Sequence, residues 1–242
     1  MSTIDIDTSG LLRLLHRDVQ LWNEWREMHL EVKVSFRNES LSHLNLIRGN
    51  FTGVDFSGVN FTESDLSGAN LVGANLKRAD LSASKLIGAN LVGAKLTGGD
   101  LSYANLIGAR LISATCIGAD FNKADLRKTD LRKSELLAAN LTECQLQNSN
   151  LTEADLSRTR LCNADLTQAI LTRSNLSFSN LAGANLNGVD LTGTNLKGTC
   201  LNRALLVGAI LSKDVLREAT LSPSVLRSVV IRDTLAQTTQ PV

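Results

Sequence analysis

A chain of 242 residues with 43% hydrophobic content can bury a core without disulfide staples, yet only 4% of it is aromatic and it holds 2 Pro against 17 Gly. That composition excludes large aromatic-lined pockets and Pro-rich linkers. The 25 Lys and Arg nearly balance the 24 Asp and Glu, so the net +1 gives no global attraction for DNA, RNA or an anionic membrane. No run approaches the ~18 consecutive apolar residues of a membrane span, and MSTIDIDTSG lacks the basic region and apolar run of a signal peptide, so a cytoplasmic protein is expected. Cys116, Cys144, Cys162 and Cys200 show no CxxC or other ligand spacing, which fits a reducing compartment.

In chain order, Thr8 or Ser9 can cap a helix predicted over 10–30, with Leu11, Leu15, Val19, Trp22 and Trp25 on one face. The EVKVSF run at 31–36 follows as a lead-in strand, so residues 1–40 read as an N-terminal helical cap with its lead-in.

A five-residue period then takes over. From Leu46 to Leu211 every fifth residue is bulky and apolar, 34 positions of which 29 are Leu, with Phe51, Phe56, Phe61, Cys116 and Phe121 making up the rest. Two residues earlier in each unit, from Gly49 to Ala209, nothing exceeds Val in size, and the position between is mostly Asn or Asp. Five matches neither the period of an α-helix nor that of a simple strand, so something must turn at every unit. If the small and the bulky residue both point inward along a short extended segment, the others form a corner and face water. Fourteen of the 17 Gly fall two residues after the bulky position, where a type II turn needs positive φ. Units without Gly there, such as Arg127-Lys128 and Arg132-Lys133, are expected to use a type I-like turn.

Units such as SDLSG at 64–68, GANLV at 68–72 and EADLS at 153–157 resemble the pentapeptide-repeat family, and the resemblance runs unbroken over residues 41–211. WNEWR at 22–26 is similar to lead-ins of bacterial, often cyanobacterial, members. The resemblance implies an all-β solenoid: a right-handed quadrilateral parallel β-helix with twenty residues per coil. On that basis 46–211 makes about eight coils and a rod roughly 40 Å long, with α-helical caps at both ends. The core is then a Leu and Ala ladder too tight for a ligand. Phe51, Phe56 and Phe61 fill the first coil, and Trp22 and Trp25 are expected to plug that wide end; a partner-binding role for the two Trp is the alternative.

At the other end the Asn/Asp position becomes Cys200, Leu205, Ile210 and Val215, so Leu205, Ile210 and Val215 are expected to seat a cap. Ser222-Pro223 starts a helix, and Leu226, Val229, Val230 and Asp233 set its face. Residues 212–236 are therefore predicted as a C-terminal helical cap and 237–242 as a tail. The same surface can join two chains; intrachain capping, and with it a monomer, is favoured.

Catalytic groups do not converge anywhere in the repeats. His16, His29 and His43 all precede them, no phosphate loop occurs, and no metal, cofactor or catalytic residue is assigned. The basic run Lys123, Arg127, Lys128, Arg132 and Lys133 resembles a nucleic-acid patch only until residues twenty apart are stacked. Lys123 then meets Glu143, Lys133 meets Glu153 with Arg173 beyond, and Arg110 meets Asp130, so no nucleic-acid partner is expected. Asp80, Asp100 and Asp120 share one column, read as turn-stabilising residues with a bound cation as the alternative.

The most informative outward feature is apolar. Val72, Val92 and Ile112 form one column, Ile87 and Ile107 a second around the adjacent corner, and Ile117 lies just beyond. These residues predict a flat face for an unidentified protein partner, making the chain a non-enzymatic interaction or scaffold protein. Some members of the resembled family mimic DNA and bind gyrase, which is the alternative. Residues 46–211 hold 16 Lys and Arg against 14 Asp and Glu, and that +2 balance argues against mimicry.

Overall fold

The computed structural model describes residues 8–213 and 230–232. Every fifth residue from Phe36 to Leu211 enters one continuous core, and of these only Leu201 is less than fully buried. Each side of the rod contributes a single parallel bridge, not a long strand. The residue before the inward one pairs with the residue twenty later, from Ser35 with Asp55 to Asp190 with Ile210. With four turns per twenty residues, Phe36 to Leu211 makes about nine coils, one more than the repeat pattern predicts. The ladder begins at Ser35, ahead of the boundary expected at 41, because Val34 and Phe36 already occupy the small and large inward positions.

The unit is held by one recurring turn. The Leu66 carbonyl accepts the Ala69 N–H at 3.0 Å with Gly68 between them at φ +65°, the type II arrangement. The same left-handed angle recurs at every fifth residue from Asn38 to Gly208, including positions without glycine: Lys128 has φ +59° and Lys133 has φ +58°. The expected type I-like turns are therefore not used. A type I turn reverses the central peptide, and that peptide is committed on both sides. The Arg127 carbonyl accepts from Gly108 N–H at 3.0 Å, and Lys128 N–H donates to the Gln147 carbonyl at 3.0 Å. Losing both bonds costs more than the ~1–2 kcal/mol of a left-handed L-residue. Gly73, with φ +64° and open space where a Cβ would stand, isolates that penalty. Gly73→Ala is expected to lose about 1 kcal/mol, read from the urea midpoint at unchanged slope.

Most polar residues at the small inward position are satisfied by a backbone carbonyl, Ser174 being an exception. Ser64 Oγ donates to the Phe61 carbonyl at 2.7 Å and Thr129 Oγ1 to the Leu126 carbonyl at 2.6 Å.

The N-terminal cap consists of two helices, α1 (Thr8–Arg17) and α2 (Val19–Met28), where one helix over 10–30 was expected. Asp18 interrupts them: its backbone is extended and its carboxylate accepts Gln20 N–H at 2.9 Å as an N-cap. Trp22 is fully buried, stacks on Phe51 with centroids 5.7 Å apart, and lies 5.6 Å from Phe36. Trp25 is only partly buried and stacks on His29.

This cap also closes the open backbone edge of the first coil. Trp22 Nε1 donates to the Asn50 carbonyl at 2.8 Å, Asn23 Oδ1 accepts Asn50 N–H at 2.8 Å, and Asn23 Nδ2 reaches the Arg48 carbonyl at 3.1 Å. The buried Arg26 adds bonds to the His29, Val32 and Thr52 carbonyls. At Asn50 and Thr52 side chains thus replace the ladder bonds that a preceding coil would make.

At the C-terminal end β1 (Ile210–Ser212) pairs in parallel with β2 (Val230–Arg232), again twenty residues apart. Residues 230–232, expected within a helical cap, extend the ladder instead, since β1 presents an open edge that Val230 N–H meets at the Ala209 carbonyl, 2.7 Å away. Val215, Ser222, Pro223, Leu226, Val229 and Asp233, and with them the rest of the predicted cap and the tail, lie outside the described residues. No helix among the described residues is long and apolar enough to cross a membrane.

Candidate interaction surface

Val72, Val92 and Ile112 each occupy the second position of the type II turn, so their carbonyls belong to the ladder while their side chains lie on the outside. The carbonyls accept from Gly53, Gly73 and Gly93 N–H at 2.9–3.0 Å, and Asn70 and Asn90 side chains accept Val72 and Val92 N–H. Residues twenty apart therefore stack at about one strand spacing, ~4.8 Å. Ile87 and Ile107 stack likewise one corner earlier, their carbonyls taking Gly68 and Gly88 N–H, and Ile117 sits one corner after Ile112. Ile87 is 42% exposed, while Val72, Val92, Ile107, Ile112 and Ile117 are half-buried. The adjoining corner glycines, such as Gly88 and Gly108, have no atom within 4 Å of a Cβ position, so nothing stands above the columns. Ile47, 39% exposed, extends the Ile87 side toward the N-terminus.

Other exposed apolar side chains escaped the sequence reading. Phe178, Tyr103 and Ile170 lie outward on later or opposite sides, and Val207 sits near the C-terminal end. Column arithmetic alone places each of them outside, but none has a large aliphatic or aromatic neighbour twenty residues away. Of the cap seat, Leu205 is exposed, Ile210 is half-buried beneath Val230, and Val215 is outside the described residues.

Four of the five residues of the basic run, all but Lys128, have an ion-pair partner among the described residues. Lys123 lies 3.7 Å from Glu143, Lys133 3.7 Å and Arg173 2.7 Å from Glu153, as column stacking predicts. Arg127 and Arg132 instead pair within their own units, at 2.6 Å to Asp125 and Asp130. These i,i+2 partners share the outward side, flanking the inward Leu126 and Leu131.

Asp80, Asp100 and Asp120 accept the N–H of Ser82, Ser102 and Asn122 at 2.8–3.0 Å, and Asn140 Nδ2 donates to Asp120 at 2.9 Å. Among the described residues no group of three or more His, Cys, Asp or Glu is arranged to hold a metal ion. Partial burial pushes the Asp80 carboxyl up, but the Ser82 hydroxyl and amide with the Thr62 hydroxyl bring it below the ordinary carboxylate range. Asp165 is lowered in the same way by Thr167 and Gln147. Asp130 is lowered chiefly by its hydrogen bond from Arg132.

A carboxyl lowered in the folded state binds fewer protons there than when unfolded. Its stabilisation is complete above the unfolded value, 3.8, and disappears as pH falls through 3.8 toward the folded value. The melting temperature should therefore be flat above about pH 5 and fall below it. Asp80→Asn, which keeps the Oδ1 acceptor, should reduce that acid slope in a pH series of thermal melts.

All four cysteines are free, with Cys116 and Cys144 buried. Burial pushes the Cys116 thiol up to about 12 and also raises that of Cys144, so neither is a nucleophile at neutral pH. Cys162 lines an open depression of about 630 Å³ with Asn163, Gly183 and Arg203. His16 and His29 contact helix carbonyls, and His43 Nδ1 lies 3.4 Å from Glu63. No nucleophile–base pair arises among these groups.

A family model for pentapeptide repeats, in eight copies, matches residues 40–78, 74–111, 109–142, 139–177 and 169–208. Among solved structures the chain is similar to HetL, a pentapeptide repeat protein involved in heterocyst differentiation regulation in the cyanobacterium Nostoc sp. strain PCC 7120. Identity is 30%, over 78% of this chain and 95% of HetL, at a TM-score of 0.46. It is similar to full-length QnrB1, a plasmid-mediated fluoroquinolone resistance protein, at 20% identity over 72% of this chain and 92% of QnrB1, with a TM-score of 0.38. A pentapeptide repeat protein of the Arabidopsis thaliana thylakoid lumen shares 30% identity over 47% of this chain and 65% of its own length, with a TM-score of 0.26. No curated protein sequence matches. With repeats matched across most of its length and a coil ladder in unbroken twenty-residue register, the chain belongs to the pentapeptide-repeat family.

Proposed function

We propose that this chain is a non-enzymatic scaffold or regulatory protein, a right-handed four-sided β-helix acting as a monomer. A protein partner binds the face formed by Val72, Ile87, Val92, Ile107, Ile112 and Ile117. One observation carries the reading: aliphatic side chains stack in two adjacent outward columns, flanked by open glycine corners. Removing such side chains from water supplies about 25 cal/mol per Å² of apolar area, enough for a specific contact when the partner is complementary. The four free thiols fit a reducing compartment, and we place the protein in the cytoplasm. A DNA-mimicking, gyrase-binding role is disfavoured by the +2 balance of residues 46–211, and the likeness to QnrB1 concerns the fold alone.

Val92→Asp combined with Ile107→Asp is expected to abolish partner capture from native extract while leaving the circular dichroism spectrum and melting temperature nearly unchanged, since both side chains lie outside the core. Undiminished capture by the double variant contradicts the reading. A supercoiling assay with DNA gyrase should show no protection.

A further inference from the structure

One corner beyond the Val72, Val92 and Ile112 column, the first coils carry an open groove of about 600 Å³ lined by Arg37, Ser57, Asn75, Lys77, Arg78 and Thr97. Its carboxylate, Asp55, is already engaged. Asp55 Oδ1 accepts Ser57 N–H at 3.1 Å and Asn75 Nδ2 at 2.7 Å, and Arg37 Nε stands 3.8 Å from Oδ2. Lys77 and Arg78, with Lys95 in register beside Asn75, have no carboxylate within ion-pair distance among the described residues. In the middle coils Lys123, Arg127, Arg132, Lys133 and Arg173 each have one, whereas, again among the described residues, Arg110, Lys128, Arg158 and Arg160 do not; what sets the groove apart is that Arg37, Lys77 and Arg78 line it together.

Asn75 also departs from its equivalents in other coils. Asn140 and Asn175 likewise donate Nδ2 to an Asp twenty residues earlier, yet their Oδ1 still accepts the N–H two residues on, which Asn75 Oδ1 does not. That Oδ1 and the Ser57 Oγ are buried, without a hydrogen-bond partner, on residues that line the groove. The sequence spacing joins this groove to the apolar face: Val72 and Lys77, Val92 and Thr97, and Ile112 and Ile117 are each one unit apart on the same coil. Uncompensated cations beside low-dielectric aliphatic columns make one amphiphilic surface, in which a carboxylate gains most when its neighbours exclude water.

We propose that the groove takes acidic side chains of the same protein partner whose aliphatic side chains rest on the Val72 column, so that the bound segment combines Asp or Glu with Leu, Ile or Val. This rests on the scaffold reading above. A protein segment is favoured over nucleic acid because the groove has no aromatic side chain on which a base could stack.

Selection of a random dodecapeptide display library on the full chain tests this. The expected result is enrichment of peptides mixing acidic and aliphatic residues. Their binding should weaken at least tenfold with Lys77→Glu/Arg78→Glu, and to a lesser degree with Lys77→Gln/Arg78→Gln, at unchanged melting temperature. Enriched peptides without acidic residues, undiminished binding to the charge-reversed variant, or displacement by single-stranded DNA but not by an acidic peptide would each overturn the proposal. The apolar reading fails separately. Peptides sensitive to Lys77 and Arg78 but indifferent to Val92→Asp/Ile107→Asp leave acidic recognition standing without the apolar face. The opposite sensitivity leaves the face and removes the groove.

Discussion

Trp22→Ala is expected to lower stability by about 4 kcal/mol, the largest single-residue effect in the N-terminal part of the molecule. The indole is fully buried between Phe36, Phe51 and Trp25, so truncation leaves a cavity that these three surrounding rings cannot close without moving. It also removes the donor to the Asn50 carbonyl, an edge group with no preceding coil to serve it. In a solenoid each coil is stabilised by its neighbours, and loss at the terminal coil lets fraying propagate inward. Trp22→Phe, which restores most of the packing but not the hydrogen bond, should recover more than half of the loss in urea denaturation. A cost below about 1 kcal/mol for Trp22→Ala would mean that the helices are not the plug of this end.

Two adjacent residues give the second large effect. Leu86 is fully buried and Ile87 is 42% exposed. Leu86→Ala should cost about 3 kcal/mol, within the range for buried leucines, whereas Ile87→Ala should cost less than about 1 kcal/mol. The contrast arises because the unit turns immediately after the inward residue, sending consecutive large side chains to opposite destinations. A helix or a register shift of one residue in the ladder would reverse or erase it. Equilibrium denaturation of the two variants under identical conditions separates these cases.

The difference between what the sequence disclosed and what it hid follows the range of the interactions involved. The inward ladder was legible because the same residue type answers the same local geometry at every fifth position, and stacking at twenty residues then placed Lys123 against Glu143 and Lys133 against Glu153. The turn at Lys128 was not, since its left-handed angle is imposed by the Gln147 carbonyl nineteen residues away and its own side chain has no preference for it. Asp18 was readable in principle as an N-cap preceding VQLW, but the continuous apolar face through Leu15, Val19 and Trp22 masked the break.

Arg26 and Asn23 carry no pattern signal at all. A buried arginine on a helix is recognisable only once the carbonyls of His29, Val32 and Thr52 surround it. Of the candidate face, the composition and column positions of all six residues were legible. Their unequal exposure was not, because it depends on how far each side chain lies down against its stacked neighbour.

Photo-crosslinking in native extract tests the assignment of function to this face most directly. Val92 and Ser102 belong to the same coil, half a coil apart, and so occupy opposite sides of the rod. With a photoreactive residue placed at each in turn, the account predicts one discrete adduct from position 92 and none from position 102. An adduct formed only from position 102 would contradict it.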